Sequence, residues 1–237
     1  MIDVTSLKDK TIAAHWPGSP VLPMMTVTFT GIDERTDLKK CEELCADYPI
    51  EFGILFGANR QKNRYPNRDF VKEAVCADIM YAYHLCNEYS NWAINGYYVL
   101  DLPVNPAIQR IQVNSSIYND EGLKTFQKKV NCPVLVQWRK PVFPEEAIGK
   151  NIHYVYDCSG GRGIYNPDEK WPQQNFNNNG SLGRVGYAGG INPDNVLDVL
   201  SKIDAYEFWI DMETGVRDDD DWFSIEKCRK VCEAIWG

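Results

Sequence analysis

The stretch RVGYAGGINPDNV, residues 184–196, carries the reading that decides the fold. A short apolar run at 184–188 ends in Ala188-Gly189-Gly190, and Asn192 and Pro193 follow at once. Asparagine at an N-cap with proline in the first turn marks the start of a helix. The segment therefore reads as a strand, a glycine turn and a helix. Outward from it the same unit recurs. Downstream, YEFWID (206–211) precedes a final amphipathic helix over Ser224–Ile235. Upstream, IHYVYD (152–157) leads into SGGRG and a long polar loop at 164–181. PVLVQWR (133–139) is followed by a short helix from Pro144 to Ile148, and IQRIQVN (108–114) by a helix from Asp120 to Lys129. IMYAYHLC (79–86) is read as a strand, because a helix continued through it would be too long. EFGILFG (51–57) passes through Arg64-Tyr65-Pro66 to a helix beginning near Asn67. TVTFT (26–30) opens the series, with a helix from Asp37 to Ala46. Short apolar runs separated by helices are parallel strands covered on both faces. Eight such alternations without a shift in composition predict an α/β chain, a single-domain (β/α)8 TIM barrel over 1–237. Residues 1–25 read as a lead-in or a cover for the barrel bottom.

The totals agree. The 237 residues come close to the about 250 that such a barrel takes. A hydrophobic content of 44% is too high for a disordered chain with a net charge of -8. The acidic balance disfavours nucleic acid and anionic membranes as partners. Part of it lies in Asp218-Asp219-Asp220-Asp221, read as a solvated loop. No stretch approaches the roughly 18 apolar residues of a membrane span, and no basic segment precedes an apolar one at the N-terminus. Cys41 and Cys45, like Cys228 and Cys232, lie four apart in helix-like segments, and no CxxC pair occurs. Buried reduced thiols in a cytoplasmic protein are expected, with no metal and no cofactor.

In such a barrel, functional groups gather where strands end. The sixth run ends in Asp157, followed by Ser159-Gly160-Gly161-Arg162-Gly163, where successive N–H groups and a guanidinium suit an anion or form a plain turn. After the seventh run, Gly189 and Gly190 precede a helix N-terminus, suited to phosphate or needed for close packing. The eighth run gives Asp211-Met212-Glu213-Thr214-Gly215-Val216-Arg217. Strand alternation points Asp211 and Glu213 the same way, as an acid/base pair, a clamp for hydroxyls or partners of Arg217. Arg64, in the loop after the second run, is placed to close over an anionic ligand, and Arg139 ends the fifth run as a further ligand-binding candidate.

VTFTG (27–31), EFGILFG with NRYP, YVYDCSGGRG, YAGGINPDNV and WIDMETGVR together resemble phosphoribosylanthranilate isomerase, in order and over most of the chain. The resemblance is to an isomerase-like branch with HLC after the third run and SGGRG after the sixth. It implies an Amadori rearrangement of an N-linked aminoaldose phosphate, with an acid to open the ring and a base to take the C2 proton. The family's acid maps onto Asp157. Its catalytic cysteine maps onto Thr30, whose hydroxyl is too weakly acidic to serve as an unassisted base. His84, Cys86 or Asp211 would have to replace it. Gly189, Gly190, Thr214 and Gly215 match the family's phosphate cradle, but Glu213 stands where a small hydroxyl residue is expected. Arg162 or Arg217 would be needed to neutralise it.

Three readings follow: an isomerase or related lyase on a sugar or sugar phosphate, a ligand-binding barrel without turnover, and a ribosyl-processing hydrolase using Asp157, Asp211 and Glu213. The expected partner is a small sugar-type ligand, and the expected assembly a monomer or homodimer.

Overall fold

The computed structural model describes residues 25–57, 63–98, 102–103, 108–144, 148–174, 184–205 and 207–237. The lead-in up to residue 24, residues 145–147 of the expected helix after the fifth run, residues 175–181 of the polar loop and Tyr206 lie outside them.

Eight parallel strands close into a barrel in sequence order: β1 (Met25–Thr30), β2 (Ile50–Phe56), β3 (Tyr81–Leu85), β4 (Ile108–Val113), β5 (Val134–Trp138), β6 (Ile152–Asp157), β7 (Val185–Ala188) and β8 (Phe208–Met212). β8 pairs back onto β1, which completes the ring. The third run is a strand, paired with β2 and β4. The helices among the described residues are α1 (Leu38–Asp47), α2 (Arg68–Ala74), α3 (Glu88–Ile94), α4 (Asp120–Val130), α5 (Val196–Lys202) and α6 (Ile225–Trp236).

Local chemistry explains most helix starts. The side chains of Asp37, Asn67, Asn119 and Ser224 each accept hydrogen bonds from N–H groups of the first turn they precede. The cap expected at Asn192 is present. Its side chain accepts from the N–H groups of Asp194 and Asn195, at 2.9 and 3.1 Å, and its carbonyl also accepts from the Val196 N–H at 3.1 Å. That closes a turn holding Pro193, and α5 proper begins only at Val196. α3 was not foreseen, because its seven residues, EYSNWAI, carry no side-chain cap to announce them.

Strand alternation sorts the residues into two populations. The outward set, including Val27, Phe29, Phe52, Ile54, Tyr83, Val113, Val136, Tyr154, Tyr187 and Ile210, joins the main apolar core under the helices. The inward set is mostly polar, apart from a small cluster of Leu135, Val155, Ala188 and Trp209. Half-way up the barrel, Arg110 donates to Glu51 at 2.7 Å, to Thr28 at 2.8 Å and to Gln112 at 2.9 Å, and Thr28 in turn donates to Glu51 at 2.7 Å. Arg110 and Glu51 are each 1% exposed, so the pair forms a charged plug across the axis. A buried guanidinium is accommodated there because carboxylate, hydroxyl and amide oxygens replace its water.

All eight cysteines are free thiols. Only Cys41, Cys132, Cys228 and Cys232 are fully buried, whereas Cys76 is exposed and Cys45, Cys86 and Cys158 are half-buried, so the expectation of buried thiols holds for part of the set.

Candidate active site

Above the plug, the inward row ends in a cavity of about 280 Å³ at the C-terminal mouth. Asp157 and Asp211 both pair with Ala188 of β7, one from each side, so they stand at one height with a single strand between them. Two interstrand spacings put their Cα atoms about 10 Å apart. Both line the cavity.

Asp157 is held by donors. Gln137 Nε2 reaches Oδ2 at 2.6 Å, while the backbone N–H and the hydroxyl of Ser159 reach Oδ1 at 3.0 and 2.8 Å. The Ser159 hydroxyl also accepts from the Gly163 N–H at 3.0 Å, which ties the loop after β6 to its carboxylate. Arg139 donates to Gln137 Oε1 and to the Gly160 carbonyl, each at 3.3 Å.

Asp211, as buried as Asp157, has fewer donors. Thr30 donates its hydroxyl proton to Oδ1 at 2.6 Å, and Gln112 Nε2 lies 3.4 Å from Oδ2. Burial pushes the Asp211 carboxyl above its ordinary 3.8, with Arg110 and these donors opposing. His84 Nε2 lies 3.3 Å from the Thr30 hydroxyl. Because Thr30 has one proton and gives it to Asp211, the imidazole must be the donor to Thr30, which assigns the His84 proton to Nε2. Burial, helped by the Arg110 charge, drives His84 well below its usual 6.5. The ring is therefore neutral, and its 3.9 Å approach to Asp211 is not an ion pair. Cys86 lines the cavity and accepts from Asn114 Nδ2 at 3.4 Å. Burial raises its thiol, so it offers no ready thiolate.

At the seam between the loops after β2 and β8, Arg64 donates to Glu213 Oε1 and, at 2.6 Å, to Asp221 Oδ1. Burial raises the Glu213 carboxyl, with Arg64 opposing. Arg64 is the cation bonded to Glu213, and the Arg217 charge acts on that carboxyl from a greater distance. Arg217 is 3% exposed and bonds the Gly31 carbonyl at 2.7 Å, Asp33 at 2.9 Å and Asp221 at 3.0 Å. It is no partner of Asp211 or Glu213 in a direct bond; its place is beneath the loop. Arg162 is exposed and donates to the Ser159 carbonyl at 2.9 Å.

Gly189, Gly190, Thr214 and Gly215 all line the cavity. Gly190 has φ +70°, and a Cβ there would overlap the backbone of Ile164 and Tyr165; at Gly189, φ +119°, it would run into Cys158 Sγ. Close packing of neighbouring loops accounts for both glycines without a ligand.

The structure thus gathers Asp157, Asp211, His84, Arg64, Arg139, Ser159, Gly161, Gly189, Gly190, Glu213, Thr214 and Gly215 around one cavity, and leaves Thr30, Gly160 and Arg162 out of its lining. Thr30 sits beneath it, as a ligand of Asp211. Sequence reasoning passed over Tyr65, Gln112, Asn114 and Gln137, which also line it. The signal was present in IQRIQVN, where Arg110, Gln112 and Asn114 alternate with apolar residues. Among the described residues no group of three His, Cys, Asp or Glu side chains is placed to hold a metal ion, and no helix is long and apolar enough to cross a membrane.

No family model matches the sequence, and no curated protein matches it. Solved structures do. Phosphoribosyl anthranilate isomerase from Thermus thermophilus superposes with a TM-score of 0.56 at 19% identity, covering 87% of this chain and 96% of the other. TrpF from Jonesia denitrificans gives 0.60 at 13% identity, over 89% and 96%. The dimeric phosphoribosylanthranilate isomerase of Thermotoga maritima, in a monomeric form, gives 0.58 at 14%, over 90% and 99%. The chain has the phosphoribosylanthranilate isomerase fold. At these identities the likeness speaks for the isomerase fold, and the chemistry has to come from the cavity.

Proposed function

We propose that the cavity binds a sugar-type ligand and carries out an aldose–ketose isomerisation of the Amadori type. The observation that carries this reading is the pair Asp157 and Asp211, level on the ring and open to one cavity. Asp157, held by Gln137 and Ser159, gives a proton to the ring oxygen as the ring opens. Asp211 takes the proton from C2, the electron pair forms a C1–C2 double bond and neutralises the iminium nitrogen, and the resulting enaminol becomes the ketose by taking a proton at C1 and losing the proton of its 2-hydroxyl. The proton balance needs no cofactor. Asp211 is favoured over His84 as the base, because burial raises the carboxyl and so strengthens it, whereas burial and Arg110 weaken the imidazole. Fold likeness supports the barrel and its mouth as the site; the roles rest on the geometry.

A competing reading, a binding barrel without turnover, is favoured by Thr30, which keeps a weakly acidic hydroxyl where the resemblance puts a base. The two separate in one experiment. Ketose formation from N-substituted aldoses, with and without 5-phosphate, is measured for the wild type, Asp157→Asn and Asp211→Asn. The isomerase reading expects turnover in the wild type and a loss of about 10²–10⁴-fold in each variant, with ligand affinity retained. A silent wild type that binds the sugars would establish the binding barrel instead.

A further inference from the structure

Resting on the sugar reading of this cavity, we infer that its ligand carries no phosphate, and that Glu213 is the residue that selects against one. The candidate anion position lies between Gly189-Gly190 and Thr214-Gly215, at the ends of β7 and β8. Three observations argue against a phosphate there.

The first is space. The backbone of Ile164 and Tyr165 already packs against Gly190, and a Cβ on Gly163 would lie 2.6 Å from the Thr214 hydroxyl. With Cys158 against Gly189, the loop after β6 thus rests on three of the four cradle residues.

The second is charge. Among the described residues the cations lining the cavity are Arg64 and Arg139. Arg64 is bound to Glu213 and Asp221, and the seam it belongs to sets Arg64 and Arg217 against Glu213, Asp221 and Asp33. Two guanidinium groups facing three carboxylates leave no surplus positive charge for a dianion. Arg139 keeps its charge, since its bonds go to the neutral Gln137 amide and Gly160 carbonyl, but it stands across β6 and β7 from Glu213, away from this position.

The third is what Glu213 offers. Arg64 takes Oε1, and no hydrogen bond among the described residues reaches Oε2. A carboxylate oxygen open to the cavity accepts a sugar hydroxyl readily and repels a phosphate oxygen. The geometry that excludes phosphate is thus the geometry that recognises a hydroxyl.

The test uses the full chain and three probes, D-ribose, D-ribose 5-phosphate and inorganic phosphate, by calorimetry. It compares the wild type with Glu213→Ser and with Glu213→Gln, which keeps the side-chain volume should the serine variant fold poorly. The wild type is expected to bind ribose about tenfold more tightly than ribose 5-phosphate and to ignore inorganic phosphate. Either variant is expected to narrow or reverse that ratio. A wild type that prefers ribose 5-phosphate, or binds inorganic phosphate in competition with it, overturns the inference and leaves the sugar reading standing. If no protein binds either sugar, the sugar reading falls and takes the inference with it.

Discussion

Asp211 carries a cost that its position explains. Burial raises the folded-state carboxyl above the unfolded 3.8, so the folded form binds the proton more tightly. Stability is then greatest below the unfolded value, declines as pH rises toward the folded value, and stays lowered above it. Asp211→Asn removes the titration. It should melt at a higher temperature than the wild type at neutral pH, with the gap closing as pH falls toward 3.8, measured by thermal melts across pH. A gain in stability with a loss of turnover is the usual mark of a strained functional group. Gln137 acts through Asp157. Gln137→Leu removes the 2.6 Å donor to Oδ2 and should lower kcat/KM by about tenfold or more, while Gln137→Asn with a shorter reach recovers little.

Elements are fastened at the mouth by side chains that sequence alone offered as ligand contacts or as cations beside them. Arg217 joins the one-turn helix Thr214–Val216 to the end of β1 through the Gly31 carbonyl and Asp33, and Asp33 also accepts from the Phe223 N–H at 2.8 Å. Arg217→Ala leaves Asp33 buried without its cation, and should destabilise by about 3–5 kcal/mol in urea unfolding. Gly190→Ala forces a Cβ into the Ile164–Tyr165 backbone at positive φ and should cost about 1–3 kcal/mol. The strands were legible because short apolar runs between capped helices are local signals. The fastenings were not, since Arg64 finds Glu213 and Asp221 across 149 and 157 positions of sequence. A lone arginine beside Tyr65-Pro66 carries no sign of which carboxylate it will meet. α3 escaped for the opposite reason, being too short to show a period.

At the scale of the whole molecule, the plug of Glu51 and Arg110 separates the polar mouth from the cavity of about 590 Å³ at the other end, lined by Tyr48, His153, Arg184 and Trp209. Arg110→Met strands Glu51 and should cost about 3–5 kcal/mol, much of it restored by adding Glu51→Leu, as a double-mutant cycle would show. The same substitution should raise the His84 pKa, because the Arg110 charge helps to depress it, and NMR titration of the imidazole reads that directly. The eight-run count anticipated the ring, and with it the convergence of β6 and β8; the charged plug lay hidden in strands that read simply as apolar. The Arg64 seam also shapes the rim. It ties one flank of the rim shut above β1, whereas no ion pair among the described residues spans the opposite flank, near Asn114, Arg139 and Gly161. The flank over the fourth to sixth strands is then the expected entrance, and a bulky label attached at Ile117 should slow ligand association, read by stopped-flow fluorescence, more than the same label at Asp220.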